Sequence, residues 1–432
     1  MLKSAARFLV FAIFLLSTVA AHASKAELAQ MRAALSEMQK QLQQQQVRIE
    51  QLEKLAVAPA PDNSKPHWKD AGSGGTTTSS SPSAQAAGVA PGVAPAITPA
   101  AKPEMALATF YGRIDLFAET NWGGTKGSRV SIESGGMNGS RVGIKGGKAI
   151  NPETNFIYQM ETGFYMNNGK LGQSDSNNTR IFGRQIYAGL DGPYGKLTVG
   201  RQFSPFFMEM ISYDALENGY GGPTNYGTVE PGPTRYDNSI IYATPRINGL
   251  TGSIFAALSG RTGGTEQNTL GLTLNYQNGP LGLGFGHQYD NHNVNTTQTV
   301  SNTFGGASYQ IGKVKLLGAI AGYEKTPDTG KATEWRSWML GSRIDVTPTG
   351  QLRLNYSEGH SQDGPTNDQG RIYSAAWMES ITAQFRAYLA WSKNQNQSGS
   401  ALAPSGTSAS GYYTVNPGDT ANGLALGIQY IF

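Results

Sequence analysis

The chain has 432 residues, 38% of them hydrophobic and 15% charged, with 55 Gly, 20 Tyr and no Cys. Charge lies below, and glycine above, the soluble averages of about 25% and about 7%, and the absence of cysteine excludes disulfide scaffolds, thiolate metal sites and cysteine nucleophiles. A net charge of +4 is too small to argue for nucleic acid, and after residue 23 no apolar run approaches the ~20 residues of a membrane helix.

The first element is an export signal over residues 1–23. Lys3 and Arg7 make a basic n-region, Phe8 to Leu16 an apolar h-region, and Ala21-His22-Ala23 a small-x-small cleavage site. Export without cysteine suits a bacterial envelope protein. Residues 24–56 follow as a coiled coil: Leu28, Met31, Leu35, Met38, Leu42, Gln45, Ile49 and Leu52 keep a 3-4-3-4 spacing, the a/d seam of four heptads. A helix of about 30 residues is marginal alone, so this segment implies oligomerisation. Residues 57–106 turn to Pro, Ala, Ser, Thr and Gly, a flexible and partly extended linker.

From residue 107 to 432 the hydrophobic period is two. Phe110, Gly112, Ile114, Leu116 and Ala118 share one face of the first segment, while Tyr111, Arg113, Asp115, Phe117 and Glu119 share the other. A soluble sandwich would bury three charges here. A transmembrane barrel resolves the conflict, with the apolar face toward lipid and the charged face toward a wet lumen. Sixteen such segments run from 109–120 to 422–432, joined alternately by tight turns such as Gln277-Asn278-Gly279-Pro280 and by loops of roughly nine to more than thirty residues. That asymmetry predicts an outer-membrane barrel with both ends on the short-turn, periplasmic side, so that the coiled coil hangs in the periplasm. Sixteen strands leave an aqueous lumen. The longest connection, Phe203 to Thr234, carries Phe206, Phe207, Met208 and Met210 with Glu209, Asp214, Glu217 and Glu230; so apolar a loop is expected to fold inward and narrow the pore.

The barrel segments also carry a resemblance. Tyr111-Gly112-Arg113-Ile114-Asp115, Ser140-Arg141-Val142-Gly143, Gln159-Met160-Glu161, Arg184-Gln185-Ile186-Tyr187-Ala188-Gly189-Leu190, Gly200-Arg201-Gln202, Asp237-Asn238-Ser239-Ile240 and the terminal Phe432 are similar, in order and spacing, to Gram-negative general porins. With the coil and proline-rich linker in front, the chain resembles the DcaP-like porins. The resemblance implies a homotrimeric channel without cofactor, metal or catalytic residues, in contact with outer-membrane lipid and lipopolysaccharide, that takes up dicarboxylates and other small organic anions by passive diffusion. The coil would be free to meet periplasmic components.

General porins set a ladder of basic side chains on the early strands against acids on the third loop. The ladder falls here on Arg113, Arg141, Arg184 and Arg235, and the acid of the third strand falls on Glu161. Where porins place an acid before aromatic-Gly-Gly in that loop, Gly219 stands here, so that acid is missing or displaced to Glu217; Asp214 is the remaining candidate. Parity adds Arg343 and Arg386 to the basic wall but disagrees at Arg184, which shares its register with Ile186, Ala188 and Leu190. Residues 105–432 hold 24 Lys+Arg and 23 Asp+Glu. Selectivity must therefore come from local clustering and not from bulk charge. The alternatives are a non-specific general porin and an envelope tether or adhesin anchored by a barrel. Trp338, Trp377, Trp391, Tyr430 and Phe432 read as lipid-facing or girdle aromatics.

Overall fold

The computed structural model describes Lys40, Gln43 and residues 106–173, 180–225, 227–229, 232–258, 268–292, 298–327, 330–362, 369–406 and 413–432. Lys40 and Gln43 are helical. The expected export signal, the seam of the expected coiled coil and the linker up to residue 105 lie outside the described residues, as does Glu230.

Eighteen strands join in one antiparallel sheet. They are β1 (Thr109–Gly124), β2 (Gly127–Ser134), β3 (Arg141–Ala149), β4 (Asn155–Phe164), β5 (Leu171–Gly172), β6 (Gln185–Gly192), β7 (Gly195–Phe203), β8 (Arg235–Ala243) and β9 (Leu250–Ala257). The second half comprises β10 (Thr269–Asn278), β11 (Leu281–His292), β12 (Gln298–Ile311), β13 (Val314–Pro327), β14 (Thr333–Asp345), β15 (Gly350–Ser361), β16 (Gln369–Ser380), β17 (Phe385–Asn396) and β18 (Thr420–Ile431). β1 closes the sheet on β18 in a register running from Arg113↔Ile431 to Trp122↔Asn422. β2 doubles back on the second half of β1, and β3 takes over pairing with its first half. The two-residue β5 pairs with the end of β4. Setting these two short strands aside, sixteen strands form a closed barrel, the number that the alternation predicts.

Inside and outside follow the predicted parity. On β1 the side chains of Asp115, Phe117, Glu119 and Asn121 are buried toward the lumen, while Phe110 is 62% exposed on the other face. Around the outside, Leu272, Leu283, Phe285, Ile320, Leu340, Leu426 and Ile428 stand exposed, a continuous apolar belt that water would not tolerate and lipid does. Seven connections of two to six residues lie at one end: 150–154, 193–194, 244–249, 279–280, 312–313, 346–349 and 381–384. At the other end, connections 293–297 and 328–332 are shorter than predicted. There β11 to β14 continue as paired hairpins to Asn291↔Thr299 and Lys325↔Thr333, converting expected loop into strand.

The connection after β7 enters the lumen. Ser204 caps a short helix, α1 (Pro205–Ile211), its hydroxyl accepting from the Phe207 amide at 3.3 Å with proline in the first turn, as helix starts favour. Phe206, Met210, Tyr213 and Val229 pack on Phe304, Ala319 and Met339 of the wall, and Leu216 and Tyr220 pack with Phe117 and Tyr388. The hydrophobic core thus lies between loop and inner wall. Its shape depends on glycine: a Cβ on Gly284 or Gly306 would fall about 2.5 or 2.6 Å from the Tyr213 ring, so only a bare backbone admits the loop at this distance.

Candidate pore constriction

Six arginines lie at or beside the loop, Arg113, Arg141, Arg184, Arg235, Arg343 and Arg353, while Arg386 lines a cavity on the short-turn side. Two cross-strand pairs stand out, Arg113↔Arg141 and Arg343↔Arg353. Like charges directly opposite on a sheet repel, and each pair borders one carboxylate.

The first wall is organised by Glu161. Its Oε1 takes an ion pair from Arg184 Nε at 2.7 Å, its Oε2 lies 3.5 Å from Arg141 Nε, and Tyr111 Oη donates to Oε2 at 2.9 Å. Glu161 therefore sits among the bases rather than across from them; a charge-assisted hydrogen bond fixes Arg184 and a longer ion pair holds Arg141. Arg235 lies over the Phe203 ring at 3.9 Å and Arg184 over the same ring at 5.6 Å. Phe203 in turn stacks on Phe207 of α1. The parity conflict at Arg184 resolves simply. The residue lies just before β6, where Gln185 pairs with Glu161, so its side chain is free of the strand alternation and turns into the wall while Ile186 faces outward.

Asp115 is a determinant that parity located without revealing its role. Fully buried, its carboxylate accepts from the amides of Gly136, Met137 and Asn138 and from Tyr388 Oη at 2.8 Å and Gln429 Nε2 at 2.7 Å. Three of these five donors tie the turn 135–140 to Asp115 on β1, and Asn138 Oδ1 accepts from Arg113.

The second wall meets the loop tip. Glu217, at a positive φ of 56°, bridges Arg343 at 2.8 Å and Arg353 at 3.0 Å. Burial alone would raise its carboxyl, but Arg353 and then Arg343 hold it below the ordinary glutamate value. Arg343 also donates to the carbonyls of Ala215 at 3.0 Å and Asp214 at 2.5 Å, so it braces the loop more than it faces the pore. Asp214 departs from its expected place among the constriction acids. It is fully buried, its carboxyl pushed up by burial, and it accepts from Thr224 Oγ1 and the amides of Leu216 and Asn218. The polar turns it ties draw it away from the pore surface, so it does not face passing solutes. Arg353 was not foreseen, although its inward register with Asn355 and Ser357 on β15 was the available signal.

Between the first wall and the loop lies a chamber of about 560 Å³ lined by Arg141, Arg184, Arg235 and Glu161 and, from the loop, by Phe207, Met208, Ile211 and Glu217. The side facing the arginines is thus largely apolar. Among the described residues, the buried Nε atoms of Arg113, Arg235 and Arg386 meet no hydrogen-bond partner.

A model of the Gram-negative porin family matches residues 78–378 of the chain. The chain belongs to the Gram-negative porin family. Outer membrane porin protein 32 of Delftia acidovorans is 26% identical over 63% of this chain and 80% of its own, and an outer membrane porin protein of Bordetella pertussis is 31% identical over 46% and 55% respectively. Among solved structures, an anion-selective porin from Comamonas acidovorans superposes with a TM-score of 0.67 at 22% identity, covering 76% of this chain and all of that one. OmpT of Vibrio cholerae, also solved as a trimer, superposes at 0.57 with 75% and 97% covered at 15% identity. This porin is an outer-membrane β-barrel channel.

Proposed function

We propose that this porin is an anion-preferring channel for small organic solutes bearing one or two carboxylates, of the DcaP-like kind, with Arg113, Arg141, Arg184 and Arg235 as its main anion contacts. The observation that carries the reading is the imbalance at the loop: six arginines against Glu161 and Glu217, each carboxylate already shared by two of them. Two of the three buried Nε donors without partners, those of Arg113 and Arg235, belong to the same arginines, and burial without a partner is unfavourable unless a solute or water supplies one. The anion selectivity named for the Comamonas acidovorans structure agrees with this direction.

Two unit charges 4 Å apart attract by about 1 kcal/mol in water and about 4 kcal/mol at an effective dielectric near 20. A confined pore lies between these values. A dicarboxylate touching two arginines gains enough to collect at the constriction yet remains able to leave, as conduction requires. Arg343 extends the basic wall, and Arg386 continues it toward the short-turn side. The short turns face the periplasm, residues 24–56 extend there as a coiled coil after removal of residues 1–23, and the barrels associate as homotrimers, an arrangement named for the OmpT trimer form.

In proteoliposomes, Arg113→Ala with Arg141→Ala should lower succinate entry severalfold while a neutral sugar of similar size enters as fast or faster. Equal loss of both solutes would contradict charge selection.

A further inference from the structure

We propose a second anion station on the short-turn side of the barrel, next in line after the constriction and joined to it through Arg353, in which Lys313, Arg353 and Arg386 receive small dicarboxylates that have passed the loop. It rests on the porin reading. A separate cavity of about 570 Å³ lies there, lined by Lys313 from the turn 312–313, Arg353 of β15, Arg386 of β17, Asp345, Ser380 and the turn Thr347-Pro348-Thr349. None of the arginines of the 560 Å³ chamber lines it.

The balance of partners makes this cavity receptive to an anion. Three cations meet one lining carboxylate, Asp345, whose Oδ1 already accepts from Gln351 Nε2 at 2.8 Å. Arg386 faces Ser380 and Gln429 in its strand pairings and has no carboxylate partner among the described residues, and its buried Nε is unpartnered. Arg353 donates to Gln351 Oε1 at 2.8 Å and reaches Glu217 at 3.0 Å. Glu217 lines the upper chamber while its partner Arg353 lines the lower one, so this carboxylate stands between the two. An arriving solute carboxylate competes with Glu217 for Arg353 and then meets Arg386 and Lys313. Two sites of moderate strength in series let an anion leave the first by entering the second, which multi-site conduction requires.

The absence of cysteine makes the test clean, because Thr349→Cys places a unique thiol on an exposed lining position. In phosphatidylcholine vesicles, a methanethiosulfonate bearing a sulfonate and one bearing a trimethylammonium group are reacted with this thiol, and the ratio of rates is compared with that of a free thiol. The station predicts an anionic preference of about tenfold, as a local potential of a few kT produces, together with slowing by succinate. Lys313→Gln and Arg386→Gln, added in the same background, should abolish both effects; Lys313→Gln alone, in an exposed turn, should reduce both and guards against misfolding of the double variant. An unchanged ratio in these variants, or no protection by succinate, overturns the station. Arg184→Ala should shift the zero-current potential while the thiol ratio holds; collapse of the ratio there would show a single continuous field and overturn the second site. A channel without anion preference but with an intact thiol ratio would instead contradict the constriction reading alone.

Discussion

Glu161 both removes a charge from the arginine wall and holds that wall in place. With Arg184 at 2.7 Å and Tyr111 at 2.9 Å on its two oxygens, it is structural as much as electrostatic. Glu161→Gln should raise the anion-to-cation permeability ratio, because Arg141 and Arg184 lose their shared countercharge, and should cost about 1–3 kcal/mol of barrel stability through poorly satisfied buried donors. Zero-current potential and heat denaturation of the same preparation check the two effects; a fall in anion preference would contradict the assignment. The inward register of Arg113, Arg343 and Arg386 follows from strand alternation, whereas Arg141 and Glu161 are reached through the resemblance to general porins. Asp214 was misplaced because sequence shows a loop's acids without showing that Thr224 and two amides turn one of them inward.

The inward loop combines a greasy contact surface with an ionic latch. Its inward folding follows from Phe206, Met210 and Tyr213, and the smooth wall that receives it follows from Gly284 and Gly306. Gly306→Leu should displace Tyr213, with overpacking costing about 1–3 kcal/mol, and single channels should show added flicker or subconductance states; steady, native conductance would contradict the packing described. The latch at Glu217 predicts a pH dependence. A carboxyl held below its ordinary value stabilises the loop at pH above about 4.3 and loses that contribution as pH falls through its own lower value. The conductance and selectivity should therefore be constant from neutral pH to about pH 4.5 and change only below it, with Glu217→Gln removing the low-pH change that the latch contributes. Sequence did not reveal α1, β2 or β5. α1 and β5 are short elements set by tertiary contact, whereas β2 alternates the exposed Val130 and Ile132 with Arg129, Ser131 and Glu133 and so carries the same period of two as the barrel strands.

Sixteen strands, the closing pair β1–β18 and the outward apolar belt were readable from residues 107–432 because each strand repeats the same alternation many times over. Assembly is less legible, since barrel contacts between copies use the same apolar face as contacts with lipid. If barrels supply most of the trimer contact, deleting residues 24–56 leaves a trimer that melts at a lower temperature on semi-native gels, the coil adding only tethered avidity; a monomer would make the coil the main assembly element. The central claim, a channel made anion-preferring by arginines clustered at its loop, is tested most directly by the zero-current potential of the native porin in a planar bilayer under a tenfold potassium chloride gradient. The account predicts a potential of the sign set by chloride, growing as salt is lowered and screening weakens, and moving toward zero in Arg141→Ala with Arg184→Ala. A native potential of the sign set by potassium, or one unmoved by losing both arginines, would contradict it.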